Sequence, residues 1–156
     1  IYLSRISQLS NKSNQFNLTT RRYSYADIEE IYNNDSYIKI YGQLKDKFGD
    51  NGIVAVVIGE VIDNICYIRL WIMSCRVLKR GMENAMMDAL IKKCIDSNIS
   101  ELRGFYYPTA KNKMVELFYK EQGFEFVSSD SNGNTEWKCS ITKNYKNKNL
   151  IIQVEQ

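Results

Sequence analysis

Nine residues, Ile65 to Met73, are apolar or aromatic at every position except Arg69. Such a run reads as a central strand. Directly beyond it, apolar residues fall at Met82, Ala85, Met86, Ala89 and Leu90. That spacing marks the buried face of an amphipathic helix. The joint between them, Cys75 to Gly81, holds three cations and one glycine. A strand that feeds through a short turn into a helix commits the chain to a sheet with helices laid on it.

The junction has a chemistry of its own. A helix N-terminus presents backbone N–H groups and a partial positive charge. Arg76, Lys79 and Arg80 add whole charges, and Gly81 lets backbone approach a guest closely. The natural guest is a phosphate or pyrophosphate, held by Met73, Ser74, Cys75, Arg76, Val77, Leu78, Lys79, Arg80, Gly81 and Met82. The competing reading is a solvated basic turn.

A second stretch, Asn112 to Phe124, reads NKMVELFYKEQGF. Together the two stretches resemble the GNAT acyltransferase superfamily. Its phosphate loop, Arg/Gln-x-x-Gly-x-Gly/Ala, maps onto Arg76, Lys79 and Gly81. Its later helix maps onto Asn112, Val115, Phe118, Tyr119, Gly123 and Phe124. The family usually has a glycine where this chain has Lys79. A side chain there either crowds a pyrophosphate or adds a charge to it. Four segments, NQFNLTTRRY, LKDKFGDNG, WIMSCRVLKRG and PTAKNKMV, resemble more closely the C-terminal GNAT-like domain of FkbH-type proteins. In that family a haloacid-dehalogenase-like domain lies upstream and loads a glyceryl unit onto an acyl carrier protein.

The resemblance implies an α/β (α+β) GNAT fold: a mixed, mostly antiparallel sheet, helices on both faces, and a splayed parallel strand pair. It implies coenzyme A, acyl-coenzyme A or carrier-protein phosphopantetheine as the cofactor, its arm lying in the splay and pairing with strand backbone. It implies that Tyr119 is the general acid that protonates a departing thiolate, and that Asn112 contacts the cofactor arm. Alternatively Tyr119 is a core aromatic and Asn112 an ordinary early-helix residue.

Composition narrows the chemistry. The chain of 156 residues suits one domain, 1–156, with residues 1–13 as a possible linker helix and 142–156 as a tail. The first residue, Ile1, fits a domain excised from a longer protein. The absence of histidine excludes Ser-His-Asp and Cys-His machinery and the His-based metalloprotease motifs. The four cysteines show no C-x-x-C pairing, which points to reduced thiols in a cytoplasmic protein and against a zinc site. No metal is expected. A net charge of +3 is too small to argue for nucleic acid. The clean apolar run Ile53–Ile58 is too short to span a bilayer, and no signal peptide is visible.

In chain order the pattern predicts a helix over 1–12, a strand over 18–23, and a helix over 25–33 capped by Ser24 with Asp27 at its third position. Strands follow over 37–45, 53–60 and 65–74, with turns at 48–52 and 63–64. Then come the helix from Gly81 to Asp96, a strand over 101–107, a helix over 110–122 closed by Gly123, and a hairpin of 124–127 with 136–141. Cys75 is a possible nucleophile beside a helix N-terminus, or simply a small residue at a strand end. Asp46, Asp50, Glu60 and Asp63 are candidate bases, and nothing singles one out. Two functions stay open. One is an acyltransferase acting on an amine or thiol acceptor. The other is a non-catalytic module that docks an acyl carrier protein for an upstream domain.

Overall fold

The computed structural model describes residues 2–13, 15–47, 49–78 and 81–149, leaving aside the side chains of Asp46 and Asn51. Helix α1 (Tyr2–Lys12) leads to a two-residue strand, β1 (Phe16–Asn17). Helix α2 (Tyr25–Tyr32) follows, then three antiparallel strands, β2 (Tyr37–Asp46), β3 (Gly49–Ile62) and β4 (Ile65–Met73). Helix α3 (Met82–Asp96) crosses to β5 (Glu101–Tyr106); the short α4 (Phe118–Glu121) and the β6 (Glu125–Ser129)–β7 (Thr135–Ser140) hairpin complete the order.

The sheet runs β2-β3-β4-β5-β7-β6, with β1 attached to β4 outside that order. Only β4 and β5 pair in parallel among the described residues. Two apolar layers sandwich the sheet. On one face Ile6 and Leu9 of α1 and Ile28 of α2 pack on Val56, Ile58, Leu70 and Ile72. On the other, Met86, Met87, Leu90 and Cys94 of α3 meet Cys66, Ile68, Trp71 and Met73. Predicted helices on both faces and a parallel pair within a mostly antiparallel sheet are therefore present.

Several elements follow directly from local chemistry. Ser24 accepts from Asp27 N (3.1 Å) and the Asp27 carboxylate accepts from Ser24 N (2.9 Å), so the capping box forms. Asp63 and Asn64 turn the β3–β4 hairpin with φ of 49° and 66°, the left-handed pair that a two-residue hairpin loop demands.

Three expectations are corrected. Residues 18–23 form no strand. Asn17 Oδ1 accepts from Thr20 N (2.9 Å) and Thr20 takes a φ of 57°, so side-chain bonding bends the backbone away from a ladder. The predicted helix over 110–122 is broken: a 3₁₀ turn at Lys113–Val115 and the single turn of α4 replace it. Asn112 (φ −107°, ψ 18°) and Leu117 (φ −103°, ψ 13°) sit outside helical space, and the Asn112 side chain is drawn inward to backbone partners. The β2–β3 turn is tighter than 48–52. Asp46 already faces Gly49, and Gly49–Gly52 belong to β3; Phe48 lies outside the described residues.

Strand β4 carries a bulge. Ile58 faces Leu70 while Gly59 faces Ile68, so Arg69 is the extra residue. The bulge reverses parity. Cys66, Ile68, Trp71 and Met73 share the α3 face, whereas Leu70 and Ile72 turn to α1. With Leu70, Trp71, Ile72 and Met73 all buried, the sequence offered no alternation to reveal it.

Candidate active site

The β4–β5 ladder ends early. Ile65, Cys66 and Tyr67 pair with Glu101, Leu102 and Arg103, and nothing beyond them pairs although both strands continue. The separation starts beside the bulge at Arg69. From there the strands diverge toward the loop that opens α3. This split is the splayed pair that the resemblance implied.

At its mouth the chain leaves β4 through one 3₁₀ turn, Cys75–Val77, whose Ser74 side chain accepts from Arg76 N at 3.3 Å. Val77 is wholly buried and pins the turn to the core. Gly81 precedes α3 with φ 85°, where a side chain would be strained, and no side chain caps the helix. The N-cap residue thus offers no side-chain oxygen to the first-turn amides of α3. Glu83 in that same turn opposes part of the positive field that Arg76 and the helix dipole create. Met73 and Met82 are core residues and Leu78 is half-buried, so they shape the loop rather than present polar groups to it. Lys79 and Arg80 lie outside the described residues. Cys75 is exposed and opens the 3₁₀ turn, seven residues before the start of α3.

Tyr119 lies deep under the split. It is 1% exposed, packed against Phe118 and Phe124 at ring-centroid distances of 5.4 and 5.1 Å. Its ring covers Gly104 of β5, where an added Cβ would come within 2.4 Å of the ring. Its hydroxyl is buried without a hydrogen-bond partner among the described residues. Burial pushes the phenol well above its ordinary pKa of 10.0, an effect that the backbone of Phe105 only partly offsets. The indole Nε1 of Trp71, on β4 across the split, is likewise buried and unpartnered among the described residues. Phe118 touches both side chains, its ring 4.9 Å from that of Trp71.

The gap itself holds a segment of the same chain. Phe16 and Asn17 pair antiparallel with Met73 and Ile72 on the free edge of β4. Leu18 N donates to Trp71 O (3.2 Å) on one side, and Tyr107 N donates to Leu18 O (2.8 Å) on the other. Thr19 Oγ1 donates to Arg69 O at 2.7 Å, at the bulge. Asn112 closes the arrangement. Its Nδ2 donates to Asn17 O (2.9 Å) and Tyr107 O (3.0 Å), and its Oδ1 accepts from Thr109 N (2.7 Å). Asn112 is thus brought to the split, but its amide is engaged with backbone.

The candidate bases are scattered. Glu60 is ion-paired with Arg69 at 3.0 Å, and that guanidinium also lies over the ring of Tyr67. Asp50 accepts from Gly52 N inside the β2–β3 hairpin, and Asp63 turns the opposite end of the sheet. Two surface cavities, of about 430 and 390 Å³, open beside α2 rather than at the split. Among the described residues no cluster of metal-ligating side chains occurs. The sequence reading missed Phe16–Thr19, Trp71 and Gly104 as parts of this region. Asn17 carried the one local hint, a residue type that favours turns over strands.

Comparison with known proteins identifies the architecture. No protein-family model matches the sequence, and no curated protein matches it. Solved structures do match. The ribosomal-protein-S18-alanine N-acetyltransferase from Escherichia coli superposes with a TM-score of 0.65 at 14% identity, over 92% of each chain. Ard1 from Thermoplasma volcanium gives 0.67 at 19% identity, over 90% of this chain and 92% of its own. The chain has the GNAT fold. Rv2747 from Mycobacterium tuberculosis, solved in complex with CoA and NLQ, gives 0.68 at 12% identity, over 90% and 94% of the two chains. At such identities the likeness is one of fold.

Proposed function

We propose that this is an acyltransferase domain that takes an acyl thioester of coenzyme A, or of a carrier-protein phosphopantetheine, and passes the acyl group to an amine or thiol acceptor. One observation carries the reading: the β4–β5 ladder stops after three pairs, and β4 then runs through a short turn to an α3 N-terminus whose N-cap is Gly81. The splay supplies strand edge that takes an added extended segment, as its pairing with Phe16–Asn17 demonstrates, and an amide-bearing arm would use the same edge in that segment's place. The loop supplies amides, Arg76 and the helix dipole for its phosphates. Structures of the same fold solved with coenzyme A, Rv2747 among them, support that choice of cofactor.

The phosphate end fits the residues present. Met73–Met82 would hold the pyrophosphate, with Arg76 as the charged contact among the described residues. Bound there, acyl-coenzyme A supplies an activated thioester. Tyr119 would provide a hydroxyl that has no partner among the described residues, and Trp71, on the other side of Phe118, a second such donor. Burial keeps the phenol protonated, so its part is to donate a hydrogen bond to a departing sulfur. Asn112 positions the β5 end of the split by holding Tyr107 O.

Titration calorimetry with coenzyme A tests the reading. Binding in the micromolar range, lost in Arg76→Ala, supports it. Transfer lost in Tyr119→Phe with binding kept supports the assigned donor.

A second reading has its own support. The split is filled by Phe16–Thr19 and the Tyr119 hydroxyl is sealed, which suits a module that docks an acyl carrier protein without chemistry, for an upstream haloacid-dehalogenase-like domain of the FkbH type. Carrier-protein binding without coenzyme A binding would favour it. A cytoplasmic setting in polyketide or polysaccharide precursor synthesis belongs to this resemblance. No helix among the described residues is long and apolar enough to cross a membrane.

A further inference from the structure

The segment Phe16–Thr19 occupies the gap that the proposed function assigns to the cofactor arm. It does so in the manner of an added strand: backbone bonds to both walls, with alternate side chains, Phe16 and Leu18, directed into the α3-side core. Asn17 O takes the amide of Asn112, and Thr19 occupies the carbonyl at the bulge. A filled gap of this kind cannot admit a second extended chain.

The neck of this segment is fastened to the end of α1, where Asn17 Nδ2 also reaches Ser13 O at 3.2 Å. Arg22 Nη1 donates to Ser10 O (2.5 Å) and Ser13 O (2.9 Å) at the end of α1. Tyr23 O accepts from Ser7 Oγ (2.7 Å) and Asn11 Nδ2 (3.0 Å). Residues on either side of the loop are thereby stapled to each other without using β4 or β5. The tip can leave the gap while α1 keeps its place on the sheet. Thr20, at the tip's far end, holds a φ of 57°, a conformation with stored strain in a residue with a branched Cβ. Tyr119 Oη and Trp71 Nε1 are buried without partners among the described residues. Buried orphan donors are rare and costly. Both side chains pack on Phe118, whose ring also meets Phe16, so the two orphaned donors lie in the core that this segment helps to close.

We propose that Phe16–Thr19 is an intrasteric flap. It closes the β4–β5 gap in the resting chain, and swings out on its Arg22–Tyr23 neck when a phosphopantetheine arm enters. The inference rests on the cofactor reading above. Apparent affinity is then the intrinsic affinity scaled by the open fraction.

Variants of the full chain test it by calorimetry with coenzyme A. Thr19→Val removes one bond that holds the flap, and tightens binding about fivefold. Leu18→Ala removes the buried anchor and tightens it about a hundredfold. Asn17→Cys with Ile72→Cys joins directly facing positions. Oxidised, that variant loses binding; reduction with dithiothreitol restores it. Amide exchange gives a readout that needs neither ligand nor variant. The Leu18 and Tyr107 amides exchange through a local opening, faster than those of the β3–β4 ladder. Binding that ignores both the disulfide and Thr19→Val overturns the flap and leaves the cofactor reading standing. Leu18 and Tyr107 amides as protected as the β3–β4 ladder overturn the flap even if Leu18→Ala fails to fold. Locally open amides with no coenzyme A binding by any variant overturn the cofactor reading.

Discussion

Gly104→Ala would probe the contact that fixes Tyr119 beneath the split. A Cβ at Gly104 comes within 2.4, 2.5 and 2.7 Å of three Tyr119 ring atoms. The ring cannot give way cheaply, because Phe118 and Phe124 pack on it and it is fully buried. Overpacking of this kind costs about 1–3 kcal/mol. Replacing a strand glycine by alanine returns about 0.5–1 kcal/mol of backbone entropy. The net expected loss is about 1–2 kcal/mol. In a chain of this length that lowers the thermal midpoint by about 2–8 °C. Urea denaturation of Gly104→Ala, Tyr119→Leu and the double variant measures it. The smaller leucine side chain makes room for the added methyl, so the double variant recovers about 1 kcal/mol relative to additivity. A Gly104→Ala unfolding free energy within about 0.5 kcal/mol of wild type, or a penalty unchanged in the Tyr119→Leu background, would refute the reasoning.

Three further outcomes are expected. Tyr119→Phe removes a buried hydroxyl that has no partner among the described residues, so stability holds or rises by up to about 1 kcal/mol; a loss greater than that in urea would mean the hydroxyl is bonded in solution. Asn112→Ala strips the buried carbonyls of Asn17 and Tyr107 of a shared donor and the amide of Thr109 of its acceptor, for a loss of about 3 kcal/mol; a fall under about 1 kcal/mol would show that this network is loosely held. The pKa values of Tyr119, Tyr145, Tyr23 and Tyr106 are all raised above 10.0, mainly by burial. Above that pH the unfolded phenols release protons that the folded ones keep, so stability is intact below about pH 10 and declines as pH rises beyond it. A urea midpoint equal at about pH 8.5 and about pH 11 would contradict this.

Much of the fold was legible because its signals are local. The Ser24 capping box, the Asp63-Asn64 hairpin turn, the α3 periodicity and Gly123 at the end of α4 each depend on neighbours within a few residues. The broken helix after Pro108 was not legible. Its sequence has ordinary helical spacing, but Asn112 is held by Asn17 O, 95 residues away in the chain. The tail was opaque for the same reason: Tyr145 Oη, Lys148 N and Asn149 N all bond to the carboxylate of Asp88 on α3.

At the candidate site the division is sharper. Residue types determined the loop: a glycine at φ 85°, Arg76, and a helix starting just beyond. The resemblance also singled out Tyr119 and Asn112, but the helix expected over them is broken, and it is bonds to the carbonyls of Asn17 and Tyr107 that turn Asn112 inward. Tertiary structure alone decided what those residues touch. The Arg69 bulge sets which face each half of β4 presents, and both faces are buried, so hydrophobic pattern carries no information about it. The filling of the gap by Phe16–Thr19 depends on backbone bonds to β4 and to Tyr107, and backbone groups are the same in every residue but proline. The sequence therefore determined which chemistry the chain carries, and long-range backbone pairing decided whether the gap that would use it stands open.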